Sequence, residues 1–450
     1  MEKLKIGYLK WASGPDFISK RVIEDNFLYS LGQYADIIVF PFRKIKDIEK
    51  ALKRTAGYNI DYLYISSFSV PTAYFWIREK LKIDIPFIFY LHAVHPWFRE
   101  YLYLIPFLRK CDIILSPSQY AKKLFLKLIS KFNVYVVPYC IDTNLIRRNS
   151  ANDAEEDRRI ITFMGRLTEE KGVGVLIKLL PKIAAKIDNA HLNIIGPLSG
   201  GGTKDSPRSI YVKTLEKLVK RNKLNDRIHF KGVRLGPNKY KLLSKSDIFV
   251  NPTLASEETF GMVNIEALAC GVPVITTNWA GGIEIVKNNK NGYLLEIQRD
   301  KKNKPYFDHE RLGSLIIRVL GDNTLNLKLK KNAMISARKY DYHAIMPSLA
   351  ALLRKRKNKT EVIRGWDFFK DKTLADFSRI FNEEFLFFLF YERAFQTETF
   401  SSLYNRTVNN HADKGNFSAK RRGKNIGRGN RDVGLAKRIR RNFYHFITSA

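Results

Sequence analysis

At 450 residues, with 45% hydrophobic and 13% aromatic side chains, the chain has ample material for two or three packed domains, and wholesale disorder is excluded. Its formal charge of +34 calls for an anionic partner, whether nucleotide phosphates, an anionic membrane or nucleic acid, and does not choose among them. The scattered cysteines Cys111, Cys140 and Cys270 offer neither a disulfide framework nor zinc spacing, which fits a reducing cytosol.

No signal peptide is expected, because residues 1–6 lead straight into a strand-like segment. No apolar run approaches the about 20 residues of a membrane-spanning helix. The nearest, 385–391, is bounded by Glu384 and Glu392.

In chain order, short apolar runs at 4–9, 36–40, 62–66, 86–91, 112–116 and 134–138 read as strands, with helix-period segments such as 44–55 and 118–131 between them. Polar residues 149–159 read as a linker. The pattern restarts with strands at 160–165, 191–196, 227–231, 248–251 and 272–276, and helices near 173–186, 209–222, 239–245, 263–269 and 282–286. A long helical stretch, 325–357, closes this half. Such βα alternation predicts two parallel-sheet α/β domains with a cleft where their carboxyl strand ends meet. From Thr360 the chain turns aromatic, and 414–441 is dense in Lys and Arg with Asp432 its one acid. This tail reads as a partly disordered extension with a basic arm.

Chemistry concentrates in the second half. In Gly165-Arg166-Leu167-Thr168-Glu169-Glu170-Lys171-Gly172 a strand ends, the chain turns, and a planar guanidinium and a point-charge ammonium flank the loop, as a diphosphate requires. In Glu258-Thr259-Phe260-Gly261-Met262-Val263-Asn264-Ile265-Glu266 a helix is predicted just after Gly261. The amides of Phe260, Gly261 and Met262 would then face a phosphate or sugar hydroxyl. Glu258 and Glu266 suit hydrogen bonds from two different polyols. Taken singly, each motif is also compatible with a charged surface loop or a helix cap.

Together these residues resemble glycosyltransferase family 4, retaining enzymes of the GT-B fold. Gly165-Arg166…Lys171-Gly172, Glu258…Glu266, Glu266-Ala267…Gly271-Val272-Pro273-Val274 and Gly281-Gly282-Ile283-Glu284 follow in the family's order over roughly 160–297. Residues 337–340 are similar to the family's closing helix. The resemblance implies two facing Rossmann-like domains: an acceptor-side domain at 1–150, a donor-nucleotide domain at 151–330, a closing helix at 331–359 returning toward the first domain, and the extension at 360–450. It implies that Arg166 and Lys171 bind the donor diphosphate. Glu258 with the amides of Phe260, Gly261 and Met262 would hold the sugar, Glu266 the ribose, and the turn at Gly165 and the segment Gly232-Val233 the rest of the nucleotide. Thr259 stands where the family often has glycine, and its β-branch restricts that loop.

In the first domain, His92 at a strand end occupies a place where family members put a histidine against the donor. Its neighbour His95 reads as structural. The family's Gly-Gly loop is replaced by Ala12-Ser13-Gly14-Pro15-Asp16, leaving Gly14 for close backbone approach. The expected reaction moves a hexose-type sugar from a nucleotide-diphosphate sugar to a glycan, lipid-linked or protein hydroxyl, with retention, no cofactor and no metal, since no Asp-x-Asp motif is present. Another GT-B enzyme, such as a sugar-nucleotide epimerase, is the nearer alternative. A nucleic-acid-binding protein is the more distant one, and nucleic acid is expected only at the basic tail. The expected location is cytoplasmic, with peripheral docking on the inner face of an anionic membrane. Lys122, Lys123, Lys127 and Lys131 beside Leu124, Phe125, Leu128, Ile129 and Phe132, together with the aromatic stretch 97–108, motivate that docking.

Overall fold

The computed structural model describes residues 3–12, 18–43, 47–66, 74–75, 77–78, 81–92, 108–128, 132–149, 158–197, 207–255, 258–301 and 304–357. They form two parallel six-stranded sheets. The first has the order β2-β1-β3-β4-β5-β6, built from β1 (Leu4–Trp11), β2 (Ala35–Phe42), β3 (Tyr62–Ser66), β4 (Phe87–Tyr90), β5 (Ile113–Ser116) and β6 (Val134–Val136). It is flanked by α1 (Ile18–Gly32), α2 (Ile48–Thr55), α3 (Gln119–Leu128) and α4 (Thr143–Arg148).

The second sheet has the order β12-β11-β10-β7-β8-β9, from β7 (Arg159–Met164), β8 (Ala190–Ile195), β9 (Ile228–Gly232), β10 (Ile248–Asn251), β11 (Val274–Thr277) and β12 (Gly292–Leu295). Its helices are α5 (Val173–Ala184), α6 (Pro207–Arg221), α7 (Gly236–Ser244), α8 (Met262–Ala269), α9 (Gly282–Ile285), α10 (His309–Gly321) and α11 (Asn323–Ala337). An antiparallel hairpin, β13 (Ile297–Arg299) with β14 (Pro305–Phe307), follows the last strand.

The strands are buried on both faces, as parallel sheets covered by helices require. Leu9, Leu63, Ile65, Phe87 and Phe89 pack one side of the first sheet; Ile161, Phe163, Leu192 and Ile194 pack one side of the second. A third cluster is continuous between the sheets, running from Tyr64 and Tyr90 through Tyr139, Phe260 and Tyr340 to Ile265 and Leu268.

The long helical stretch expected over 325–357 is divided into two helices. α11 ends at a 3₁₀ turn, Arg338–Tyr340, and α12 (Tyr342–Lys357) starts afresh. Asp341 makes the break. Its carboxylate accepts from the His343 N–H at 2.9 Å, and from the Thr143 N–H at 2.9 Å and Oγ1 at 2.5 Å. α12 then lies on the first domain: Tyr62 donates to the Leu353 carbonyl at 2.8 Å, Arg356 Nε to Tyr135 Oη at 3.1 Å, and Lys357 pairs with Asp61 at 2.8 Å.

The amphipathic face expected to meet lipid is turned inward. Ala121 and Phe125 of α3 are fully buried, and Leu124, Leu126 and Phe132 pack against the same core, because this helix covers its own sheet. Lys123 is exposed and Lys122 half-buried. The side chains of Lys127, Leu128, Ile129 and Lys131, and the stretch 97–107, lie outside the described residues, as do Gly14, His95 and the whole of 358–450. Among the described residues no helix is long and apolar enough to cross a membrane.

Candidate functional site

The carboxyl ends of β7, β8 and β9 are laced together: Gly165 N–H donates to Ile195 O and Gly196 N–H to Gly232 O, both at 3.0 Å. Arg166, half-buried, follows the β7 end directly. The chain then makes a 3₁₀ turn, Glu169–Lys171, and enters α5 through Gly172 at φ +75°. A Cβ at Gly172 would lie 2.5 Å from the Pro252 carbonyl oxygen, so the loop sits directly on the segment after β10. Leu254 N–H donates to Glu170 O at 2.7 Å and completes this seam.

The seam brings Lys171 and Glu258 together. Nζ and Oε2 are 2.6 Å apart, with side chains 11% and 16% exposed. Beyond Glu258 the backbone turns at Gly261, whose φ of +99° caps α8 without a side chain. Among the described residues the N–H groups of Phe260, Gly261 and Met262 donate to no backbone acceptor. They are orphan donors at a helix start, a fit place for an anion or a sugar oxygen.

Glu266 is one step further back, on α8. It is buried, and its Oε1 meets Lys239 Nζ of α7 at 2.6 Å. Lys239 is buried too, and Tyr240 beside it is held well above its ordinary pKa by burial and by the Glu266 charge. Val233, just after β9, is exposed.

Across the cleft the first domain touches this loop directly. Thr259 Oγ1 donates to the His92 carbonyl at 2.7 Å, and Ser118 Oγ donates to the Thr259 carbonyl at 2.6 Å. Phe260 sets its edge on the Tyr139 ring, centroids 5.1 Å apart, and packs against Tyr340 at 5.7 Å. Glu284 of α9 reaches over to the start of α3, where its two oxygens accept from Gln119 N–H at 3.0 Å and Tyr120 N–H at 2.9 Å. Those amides have no partner inside their own helix, and the positive helix end favours a carboxylate.

His92 is only 3% exposed. Its ring nitrogens face Tyr139 Oη at 3.0 Å and Tyr64 Oη at 3.4 Å, and its ring lies against Tyr90 at 4.7 Å. Burial holds the Tyr64 and Tyr90 phenols well above their ordinary values, so both stay neutral. The cleft thus gathers Lys171, Glu258, Phe260, Gly261 and His92 within one connected set, with Arg166 and Val233 on neighbouring strand ends and Glu266 behind. Lys239, Ser118 and Tyr139 belong to the same set and were not foreseen. Lys239 carries no sequence signal among so many lysines, and Ser118 and Tyr139 act only through the fold. Among the described residues no group of three or more His, Cys, Asp or Glu side chains is placed to hold a metal ion.

Residues 146–335 match the family model described as "Glycosyl transferases group 1". An uncharacterized glycosyltransferase of Methanocaldococcus jannaschii is 33% identical over 187 residues, 40% of this chain and 42% of that protein. A GDP-mannose-dependent alpha-(1-6)-phosphatidylinositol monomannoside mannosyltransferase of Mycobacterium tuberculosis is 28% identical over 198 residues, 41% of this chain and 49% of its own. The chain therefore spans less than half the length of these curated relatives. Among solved structures, a Rickettsia africae glycosyltransferase superposes over 80% of this chain and all of its own with TM-score 0.62 at 18% identity. Anabaena HepE in complex with UDP and glucose covers 78% of this chain and 99% of its own with TM-score 0.60, also at 18%. The second match carries the fold across both domains: two parallel α/β sheets in the GT-B arrangement. The segment that is similar to the glycosyl transferases group 1, residues 146–335, is the one that holds the Lys171–Glu258 pair and the open helix start.

Proposed function

We propose that the protein transfers a hexose-type sugar from a nucleotide-diphosphate sugar to an acceptor hydroxyl, with retention of anomeric configuration. The observation that carries this reading is the Lys171–Glu258 pair beside the orphan N–H groups of Phe260, Gly261 and Met262. Cationic and anionic hydrogen-bonding groups stand side by side there, one suited to a diphosphate and the other to sugar hydroxyls.

In this reading Arg166 and Lys171 hold the diphosphate, and Lys171 exchanges part of its contact with Glu258 for a phosphate oxygen. Glu258 then accepts from sugar hydroxyls. The bond from the anomeric carbon to the diphosphate oxygen breaks while the acceptor oxygen bonds to the same carbon on the same face, and the acceptor proton passes to the departing diphosphate. Fixed cations and helix amides stabilise the charge on the leaving group. They stand in for a divalent metal, so turnover should survive a chelator. Glu266, with Lys239 at its back, meets the ribose, and the base lies toward Val233. His92 closes the sugar end through its carbonyl and ring.

The name of the Mycobacterium tuberculosis relative gives GDP-mannose and Anabaena HepE was solved with UDP, so a thermal-shift screen of UDP, GDP and ADP and their sugars is the first experiment. A ligand at about 100 times its Kd adds about 2.7 kcal/mol of stability. Incubation with the sugar nucleotide that binds, with and without hydroxyl acceptors, then separates transfer from epimerisation, and NMR of the product reads the anomeric configuration. Conversion of the donor with no acceptor present, or an inverted product, would overturn the proposal. Docking on an anionic membrane now rests on net charge and on exposed groups such as Lys123; salt-sensitive sedimentation with anionic vesicles tests it.

A further inference from the structure

The second sheet has a polar patch where a doubly wound sheet should be apolar. Alternate residues of β8 and β9 split cleanly between its faces. Leu192, Ile194 and Ile228 enter the core under α5 and α6. On the other face stand His191 and Asn193 of β8 and His229 and Lys231 of β9, with Asn193 and His229 directly paired in register. With Arg158 before β7 and Lys245 after α7 they line a cleft of about 40 Å³, about three times what a single water needs.

Three features give the cleft a chemistry. Arg158, Lys231 and Lys245 bring three fixed positive charges, and no residue lining the cleft is acidic. The imidazoles of His191 and His229 stack at 5.5 Å with an interplanar angle of 8°, Nδ1 of one 3.3 Å from Nε2 of the other. Asn193 is only 4% exposed and adds an amide donor and acceptor to the lining.

The geometry points to a phosphate-binding site, separate from the carboxyl strand ends where the donor is placed. Three cations exceed what one carboxylate would need. A tetrahedral dianion, free or as a phosphomonoester, matches the charge of the lining. A metal cation is opposed by the sign of every fixed charge in the lining.

The test titrates the full-length chain with inorganic phosphate and, separately, glycerol phosphate, at constant ionic strength, by calorimetry and by the imidazole signals of His191 and His229. Saturable binding is expected, with those signals moving. Lys231→Met with Lys245→Met should weaken it at least about tenfold, while Arg166→Ala should leave it unchanged. Asn193→Ala serves as the second variant should the lysine pair fail to fold. Tighter glycerol phosphate assigns a phosphomonoester and tighter inorganic phosphate the free ion; either supports the site. Absence of saturable binding below about 50 mM, or loss on Arg166→Ala but not on the lysine changes, would overturn it.

Discussion

The Thr259 hydroxyl crosses the interdomain cleft to the His92 carbonyl, a 2.7 Å hydrogen bond between residues 167 apart in sequence. The same residue's carbonyl accepts from Ser118, so one threonine is held from both sides by the opposite domain. Thr259→Val keeps the β-branch and removes the donor. It should lower kcat about fivefold, the equivalent of about 1 kcal/mol for one hydrogen bond, with Tm nearly unmoved. Thr259→Ser should retain wild-type turnover. Steady-state kinetics and thermal melts of the two variants decide it, and wild-type turnover in the valine variant would remove this bond from the active arrangement.

Arg166 stands at the β7 end with the Lys171–Glu258 pair on the next turn. If its charge acts mainly on the departing diphosphate, Arg166→Ala should reduce kcat by about 10²–10³ with little change in donor binding. In the proposed arrangement Glu258→Gln should also cut turnover strongly, because it removes the carboxylate assigned to the sugar and the counter-charge of Lys171. Unaltered kinetics in both variants would contradict the donor assignment.

Glu266 carries a structural duty as well as its proposed ribose contact. Both members of the Glu266–Lys239 pair are buried, so Glu266→Gln strands an ammonium and should cost about 3–5 kcal/mol of stability. That exceeds the about 1–3 kcal/mol of a lost charged hydrogen bond to ribose. Urea unfolding of Glu266→Gln, Lys239→Met and the double variant separates the two effects. Stability should recover in the double variant while nucleotide affinity does not.

Acid should loosen the joint at Asp341. Burial alone would raise this carboxyl, but hydrogen bonds from Thr143 and His343 outweigh it and leave the group below its ordinary value. A carboxyl depressed in the fold contributes stability above its unfolded pKa of about 3.9, and that contribution disappears as pH falls through the lower folded value. Melts from pH 6 downward should show a steeper loss in wild type than in Asp341→Asn. Parallel profiles would refute the linkage.

Gly172 tests the seam beneath Lys171. Its φ of +75° and the Pro252 oxygen 2.5 Å from any added Cβ leave no room for alanine. Gly172→Ala should destabilise by more than the about 1 kcal/mol typical of a left-handed position and weaken donor binding along with it. A thermal melt and a nucleotide titration check both.

All six strands of the first sheet and five of the second were legible because buried parallel strands read as short apolar runs between helical patterns; 62–66 and 248–251 coincide with β3 and β10, whereas β12 (Gly292–Leu295), a four-residue edge strand, was missed. The hairpin β13–β14 was not, since Gln298, Arg299 and Tyr306 show no apolar alternation. The helix start at Tyr342 hides behind a pattern that stays helical on both sides, and only Asp341 marks it. In the site, local motifs named Lys171, Glu258 and Gly261. Lys239, Ser118 and Tyr139 escaped because their partners lie 27, 141 and 47 residues away, a separation no local pattern encodes. Thr259 was singled out for its branch, yet its hydroxyl makes the cross-cleft contact.

Helix α12 has a consequence for how the protein is made and taken apart. Tyr62 receives its hydrogen-bonding partner from Leu353, 291 residues later. The first domain is therefore unfinished until residues 342–357 have left the ribosome, after the whole second sheet has been made. A fragment ending near residue 150 would expose the surface that α12 covers and should aggregate when expressed alone. A chimera that exchanges donor halves between relatives must carry its own 342–357 with the first half, or supply residues that meet Asp61, Tyr62 and Tyr135.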